Sequence, residues 1–161
     1  MSQITPDIRA KAEIHHGHEV CQERFKVFLG AAGLPTGLIP IKEAEECGYV
    51  EETGFVWFIQ KKKTQHKFES IGKLVSFAAE VTAYVEPNRI KKLTGVKAKE
   101  LLIWVTLAEM SLDDPSTGKI IFKTPSGLFR SYPVSAFEEN EVKEIKEARE
   151  AKEANLSCSR C

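Results

Sequence analysis

The stretch CGYVEETGFVWFIQKKK, residues 47–63, decides the fold class, because apolar residues alternate along both of its halves. Phe55, Trp57 and Ile59 fall on one face of an extended chain, and the residues between them face the opposite way. The break at Glu52–Gly54 puts a glycine where a hairpin loop needs a left-handed residue. The stretch therefore predicts two antiparallel strands joined by a tight loop.

The next segment, LVSFAAEVTAYVE at residues 74–86, alternates more regularly and predicts a long strand. Every second position belongs to one apolar face, formed by Val75, Phe77, Ala79, Val81, Ala83 and Val85. The alanines at 79 and 83 leave room beside their larger neighbours, as a ligand cavity requires. This face therefore either packs as an ordinary sandwich core or lines such a cavity.

The stretch Lys99–Met110 is apolar at successive positions, which is typical of a strand covered on both faces. A turn follows at SLDDPSTGK, residues 111–119, and two more strands are expected at Lys119–Lys123 and Leu128–Val134. Short strands at this spacing predict a mainly β (α+β) protein with an antiparallel, barrel-like meander.

Two helical segments are expected to flank this sheet. The first runs from Pro6 to about Ala32, with Thr5 as its N-cap and a proline at its first position. The connector GLPTGLIP, residues 33–40, ends it, because its prolines cannot continue a helix.

The second helical segment is EENEVKEIKEAREAKEAN, residues 138–155, which is rich in charged helix formers and poor in apolar residues. It predicts a solvated helix followed by a loose end. We therefore divide the chain into a β-rich domain with an N-terminal helix, residues 1–137, and a charged, partly disordered helical tail, residues 138–161. The tail is a candidate contact for a protein partner.

The composition excludes several classes of protein. The 161 residues include 23 Lys+Arg and 23 Asp+Glu, for zero net charge, and 42% are hydrophobic. This balance is typical of a globular domain and argues against a nucleic-acid binder, which needs a basic excess. The chain shows neither a secretory signal nor an 18-residue apolar run. We expect a cytoplasmic protein with no transmembrane segment, whose lysine clusters suit peripheral contact with anionic head groups.

The clusters of metal-binding residue types are weak signals. On a helix, His15 and His18 would be neighbours and Cys21 would repeat the step, but no second ligand pair follows at finger-like spacing. Cys158 and Cys161 form a CxxC in the last residues of the tail, where no helix N-terminus would activate a thiol. We predict no metal or cofactor and interpret Cys21 and Cys47 as reduced thiols.

The sequence holds no P-loop and no nucleophile elbow. Ser70, Ser76 and Ser126 are nucleophiles in principle, and His66 is the one histidine outside the N-terminal cluster. A hydrolytic triad built on His66 would also need a carboxylate behind it.

Five blocks of the chain resemble the plant DUF538 family. They are GLPTGLIP (33–40), GFVW (54–57), LTGVKAKELLIWV (93–105), DDPSTGKI (113–120) and SYPVSAF (131–137). The N-terminal helix and the stretch KKLTGVKAKELLIWVT (91–106) are most similar to a branch of that family that affects trichome growth. The resemblance implies a plant protein of unestablished activity, linked to growth, development or stress, with an antiparallel β-fold. A lipid-binding role and a chlorophyll-hydrolysing role are both implied, and no catalytic residue carries over.

These observations favour a non-enzymatic protein that binds a lipid or another amphiphile inside the curled sheet. The residues expected to line the site are Trp57, Phe77, Ala79, Val81, Ala83, Ile103 and Val105. One alternative is an esterase acting on chlorophyll or another lipid-like ester. Another is a protein-interaction module that acts through the tail.

Overall fold

The computed structural model describes residues 2–114 and 117–138, and about half of them belong to the strands of one antiparallel sheet. Two helices, α1 (Pro6–Lys11) and α2 (His18–Ala31), and a 3₁₀ turn (Val134–Phe137) accompany the sheet. The ten strands are β1 (Glu13–His16), β2 (Ala44–Val50), β3 (Phe55–Gln60), β4 (Thr64–Phe68), β5 (Lys73–Glu86), β6 (Arg89–Glu100), β7 (Ile103–Thr106), β8 (Glu109–Leu112), β9 (Lys119–Lys123) and β10 (Phe129–Pro133).

The predicted N-terminal helix is wrong in its continuity. Thr5 caps α1 as expected, and its hydroxyl accepts a hydrogen bond from the Ile8 amide, but α1 ends at Lys11. Strand β1 follows and pairs with β2, and Gly17, with φ +99°, turns the chain into α2. Tertiary pairing with an existing strand therefore overrides helix propensity over residues 13–16.

Strand order follows chain order closely, which confirms the predicted antiparallel meander. The path of pairs runs β1-β2-β3-β5-β6-β8-β9-β10, with β4 also on β5 and β7 also on β6. The predicted barrel-like closure is wrong, because within the described residues this path is open, with β1 and β10 as its unpaired ends. The predicted hairpin at Glu52–Gly54 is confirmed, and Gly54 has φ +80°.

The long β5–β6 hairpin lies at the centre of the sheet, and it bends in the middle. Between Phe77 and Thr82 strand β5 advances five residues, while its partner advances only from Val96 to Thr94. Gly95 lies opposite this bulge with φ +80°, where a Cβ would stand 2.5 Å from the Glu80 carbonyl oxygen. Only glycine fits there. The bend gives β5 and β6 two partners each on their outer edges. Strands β3 and β4 both pair with β5, and β7 and β8 both pair with β6.

The sheet carries a hydrophobic cluster on each face. The main core lies on the inner face, where α2 packs on β2 and β3, and Phe25 meets Phe58 edge-on at 5.4 Å between ring centroids. A smaller cluster on the outer face is built around Phe55 and Trp57 and is covered by apolar residues of the N-terminal segment that includes α1.

Strand Lys99–Met110, predicted to be covered on both faces, is corrected by the structure. The chain turns at Leu101–Leu102, so that β7 folds back on β6, and Ile103 is exposed. Leu107 and Met110 are buried beyond this hairpin. The successive apolar residues of this stretch therefore belong to an exposed hairpin end followed by a buried segment.

The strands predicted at Lys119–Lys123 and Leu128–Val134 are confirmed as β9 and β10. The predicted charged helix and the tail contact with a partner lie at residues 139–161, outside the described residues, and stay predictions. No helix within residues 2–114 and 117–138 is long and apolar enough to cross a membrane.

Candidate functional site

The structure does not bring together the seven residues predicted to line a ligand cavity. Phe77, Val81 and Ala83 are buried in the main core and line none of the cavities found among the described residues. Trp57 is also fully buried, but it lies in the outer cluster, across the sheet from them. The remaining three are spread along the bent part of the sheet.

Ala79 lies in the bulge of β5 and is exposed, so the predicted apolar face is interrupted there. Ile103 is exposed at the start of β7. Val105, two residues further on, is half-buried and lines a cavity of about 290 Å³. Val105 is thus the predicted site residue that the structure places at a cavity.

This cavity, called here the apolar pocket, lies between the β6–β7 hairpin and the β9–β10 hairpin. Its walls are mostly apolar and come from both hairpins: Ala98, Val105, Leu107, Phe122 and Tyr132. Leu128 and Phe129 of the β9–β10 loop region and the charged pair Glu100 and Arg130 complete its rim. An apolar interior with a few polar groups at the mouth is the usual arrangement of a small-molecule site.

The ends of these two hairpins are apolar and bare. Leu101 and Leu102 are each 94% exposed, and Ile103, Leu128 and Phe129 are more than half exposed. Of the seven large hydrophobic side chains exposed among the described residues, five lie at these two ends, called here the tips. A cluster of this kind marks an interaction surface more often than isolated exposed side chains do.

Basic groups surround the rim of the apolar pocket. The Lys73 ammonium lies 2.7 Å from a Glu100 carboxylate oxygen, and the Arg130 guanidinium lies 3.8 Å from the same oxygen. Because one carboxylate faces two cations, the rim keeps a positive excess. Burial raises the pKa of the neighbouring Tyr132, so its hydroxyl stays protonated at neutral pH.

A larger cavity, of about 490 Å³, lies on the other side of the 3₁₀ turn, beside the GLPTGLIP connector. His66 and Ser70 both line it, together with Glu69. Burial, aided by the Lys42 ammonium, lowers the pKa of His66, whose ring packs edge-on against Phe68. Neither residue donates to the other in the described part of the chain, so nucleophile and base are not paired.

A polar network centred on the buried Glu46 carboxylate lies beside the outer cluster, and its Arg9 side chain is 41% exposed. The Arg9 guanidinium donates to both carboxylate oxygens of Glu46, at 2.8 and 2.6 Å, and the Trp57 indole donates to the same carboxylate at 3.0 Å. These donors lower the pKa of Glu46 to about 2. The network joins α1 to β2 and β3 and stabilises the covering of the outer face.

The residues of the histidine cluster lie on different elements. His15 belongs to β1 and contacts Glu13, whereas His18 begins α2, so the two are not neighbours on one helix. Within residues 2–114 and 117–138 no three His, Cys, Asp or Glu side chains are placed to hold a metal ion. Cys21 and Cys47 are buried free thiols, as interpreted from the sequence, and burial raises the pKa of both.

These features define a mainly β protein, built on one bent antiparallel sheet with a short helical segment on each face. A family model described as "Protein of unknown function, DUF538" matches residues 25–138. The chain belongs to this family, which confirms the resemblance found in the sequence. The match includes both tips and every lining residue of the apolar pocket but excludes α1 and β1. No curated protein and no solved structure matches the chain.

Proposed function

We propose that this protein binds an amphiphile without catalysing a reaction, and that the apolar pocket holds the acyl chain. The observation that carries the proposal is the coincidence of three features at one place: an apolar cavity, five exposed apolar side chains and a basic rim. An acyl chain with an anionic head group has the complementary features in the same order.

The size of the pocket narrows the class of ligand. A volume of about 290 Å³ lies at the lower end of the range for small-molecule sites, which is roughly 300–1,000 Å³. This volume suits one acyl chain better than a macrocyclic pigment. The Arg130 side chain is 70% exposed and only loosely paired with Glu100, so it is free to meet a carboxylate or phosphate head group.

The test fills the pocket. We expect Val105→Trp to occupy the cavity from a half-buried position and to weaken binding of dodecanoate, measured by titration calorimetry, by at least about tenfold. Thr106→Trp is the matched control, because the neighbouring side chain is exposed and points to the opposite face of β7. Equal binding by both variants, or no binding by the wild-type protein, would contradict the proposal.

Mass spectrometry of lipids carried by the repurified protein after incubation in a leaf extract identifies the natural ligand class. We expect a stoichiometric amphiphile on the wild-type protein and a much smaller amount on Val105→Trp. The predicted cytoplasmic localisation and the trichome branch remain predictions beside this proposal.

An esterase is the second candidate, and its support is the larger cavity. His66 and Ser70 line the same space, and the lowered pKa of His66 keeps the imidazole neutral and able to accept a proton. If this candidate is right, His66→Ala abolishes hydrolysis of a lipid-like ester by the purified protein. Unchanged hydrolysis in that variant removes His66 from the mechanism, and with it this candidate.

A further inference from the structure

The turn between β6 and β7 has an unusual composition. Two leucines, Leu101 and Leu102, connect the strands, although two-residue hairpin loops are normally built from Gly, Asn or Asp. Leu101 has φ +54°, in the left-handed region that a branched apolar side chain seldom adopts. Neither leucine gains burial in return, since both are 94% exposed. Strain of this kind, held at an exposed place, indicates a role outside the folding of the chain.

The second tip lies beside the first. Glu100, which precedes Leu101, meets the guanidinium of Arg130, which follows Phe129. Leu128 and Phe129 also line the apolar pocket together with Glu100, so both tips border the same cavity. The two tips therefore form one apolar surface.

A band of aromatic and basic groups lies directly behind this surface. The ammonium groups of Lys63 and Lys99 lie 5.8 and 5.9 Å from the centre of the Trp104 ring. Trp104 follows Leu102 by two residues, which is roughly 7 Å along a strand. Tryptophan and lysine at this depth behind an apolar end are typical of groups that lie at the head-group level of a bilayer.

The charges decide between a bilayer and a second copy of this chain. Lys63, Lys97 and Lys99 are exposed on the β6–β7 side, and Arg130 is exposed beside the second tip. A symmetric dimer through the tips would bring these cations close to their own copies. An anionic phospholipid surface instead attracts each of them.

We propose that Leu101–Ile103 and Leu128–Phe129 insert into the interface of an anionic phospholipid bilayer, with Trp104 and its lysines at the head groups. The insertion depth matches the roughly 5–10 Å that interfacial segments reach. This inference rests on the proposed function for its purpose, because a docked tip places the apolar pocket at the surface from which an acyl chain can enter. The docking itself needs no occupied pocket.

The test measures binding to vesicles of phosphatidylcholine with about one third phosphatidylserine by co-sedimentation. We expect Leu101→Gly together with Leu102→Asn to reduce partitioning at least about 100-fold, since each buried leucine contributes about tenfold or more. Gly-Asn suits the turn, so this variant keeps its fold. Val27→Gln is the matched control, because Val27 is exposed on α2, away from the tips, and we expect unchanged binding.

The lysines are tested separately. We expect Lys63→Gln together with Lys99→Gln to weaken binding to the anionic vesicles by about fivefold for each charge removed and to reduce its dependence on salt. Equal binding of the wild-type protein to pure phosphatidylcholine vesicles would overturn the electrostatic part of the proposal. A tip-dependent dimer without vesicle binding would overturn it entirely.

Two variants separate this inference from the proposed function. Leu101 and Leu102 do not line the apolar pocket, so the Gly-Asn variant should still bind dodecanoate while losing vesicle binding. Val105→Trp should do the reverse. Vesicle binding that survives the Gly-Asn change overturns the docking proposal, whatever the pocket binds.

Discussion

The two tryptophans of this protein have similar neighbours but differ in how far their rings are buried. Trp57 and Trp104 both project from strands of the same sheet, and each has a cation over its ring, Arg9 at 5.9 Å for the first and two lysines for the second. The N-terminal segment covers Trp57, which is completely buried. Trp104 remains half-buried beside an exposed apolar end of the sheet.

The partners of the cations explain this difference. Arg9 is matched by the Glu46 carboxylate, which also accepts the indole hydrogen bond, so charge and polar group are satisfied inside the protein. Lys63 has no acidic partner among the described residues, so its charge is available to an anionic group outside the chain. A covered tryptophan therefore stabilises the fold, while the uncovered one is suited to recognition.

The largest expected effect is a difference between the two tryptophans in how much each contributes to the free energy of unfolding. We expect Trp57→Ala to lower the free energy of unfolding by about 3–5 kcal/mol, because it leaves a buried cavity and removes the indole hydrogen bond to the Glu46 carboxylate. Trp104→Ala should cost less than about 1.5 kcal/mol, since its ring is only partly buried. Urea denaturation checks both values, and equal losses would break the comparison.

Glu46→Gln tests the network that encloses Trp57. We expect a loss of about 2 kcal/mol at neutral pH, a value that allows for the partial exposure of Arg9. The pKa of Glu46 is lowered to about 2 in the folded protein, whereas in the unfolded chain it keeps the ordinary glutamate value. In the pH range between these two values, the folded protein therefore binds fewer protons than the unfolded chain. The contribution is complete above that range and is lost as the pH falls toward 2. The difference in stability between wild type and variant should therefore shrink in acid, measured by urea titration at several pH values.

The Ile8→Ala substitution weakens the packing of α1 on the outer cluster. Ile8 packs on the outer cluster from α1 and is partly exposed, so we expect a loss of about 1–2 kcal/mol. The near-ultraviolet circular dichroism of Trp57 should change while the strand signal persists, because α1 contributes no strand to the sheet. Asp7→Ala on the same short helix is an exposed control.

The smallest effect is expected at the tip, and its sign is reversed. Leu101→Gly should raise the free energy of unfolding by about 0.5–1 kcal/mol, because glycine adopts φ +54° without steric cost and the lost side chain made few contacts. Thermal unfolding measures the change. A clear destabilisation would show that Leu101 contributes to folding and would weaken the argument for an external role.

The strands were predictable where one physical rule dominated. Alternation across residues 47–63 and 74–86 predicted β2, β3 and β5, because burial of one face fixes the register of a strand. The capping of α1 by Thr5 was predictable from local chemistry. Each of these elements is determined by residues close to it in sequence.

The rest depended on contacts between distant residues. Strand β1 is only four residues long and exists because β2 pairs with it, which no local pattern in EIHH reveals. The turn at Leu101–Leu102 lacks turn residues, so the sequence indicated a continuous strand. The bulge at Ala79 is set by Gly95 on the neighbouring strand, and the apolar pocket beyond it could not be located before that bend was known.

The strand order described above also has a consequence for how the chain reaches its native state. Every pair in the sheet except those of β3 with β5 and β6 with β8 joins strands that are consecutive in the sequence. Apart from the connection between β1 and β2, which contains α2, the loops between consecutive paired strands are short, and short loop closures are fast. We therefore expect the β5–β6 hairpin to form early and the sheet to grow outward from it in both directions. Synthesis from the N-terminus would supply one side of that nucleus before the other, so the two tips would be the last apolar surface to meet.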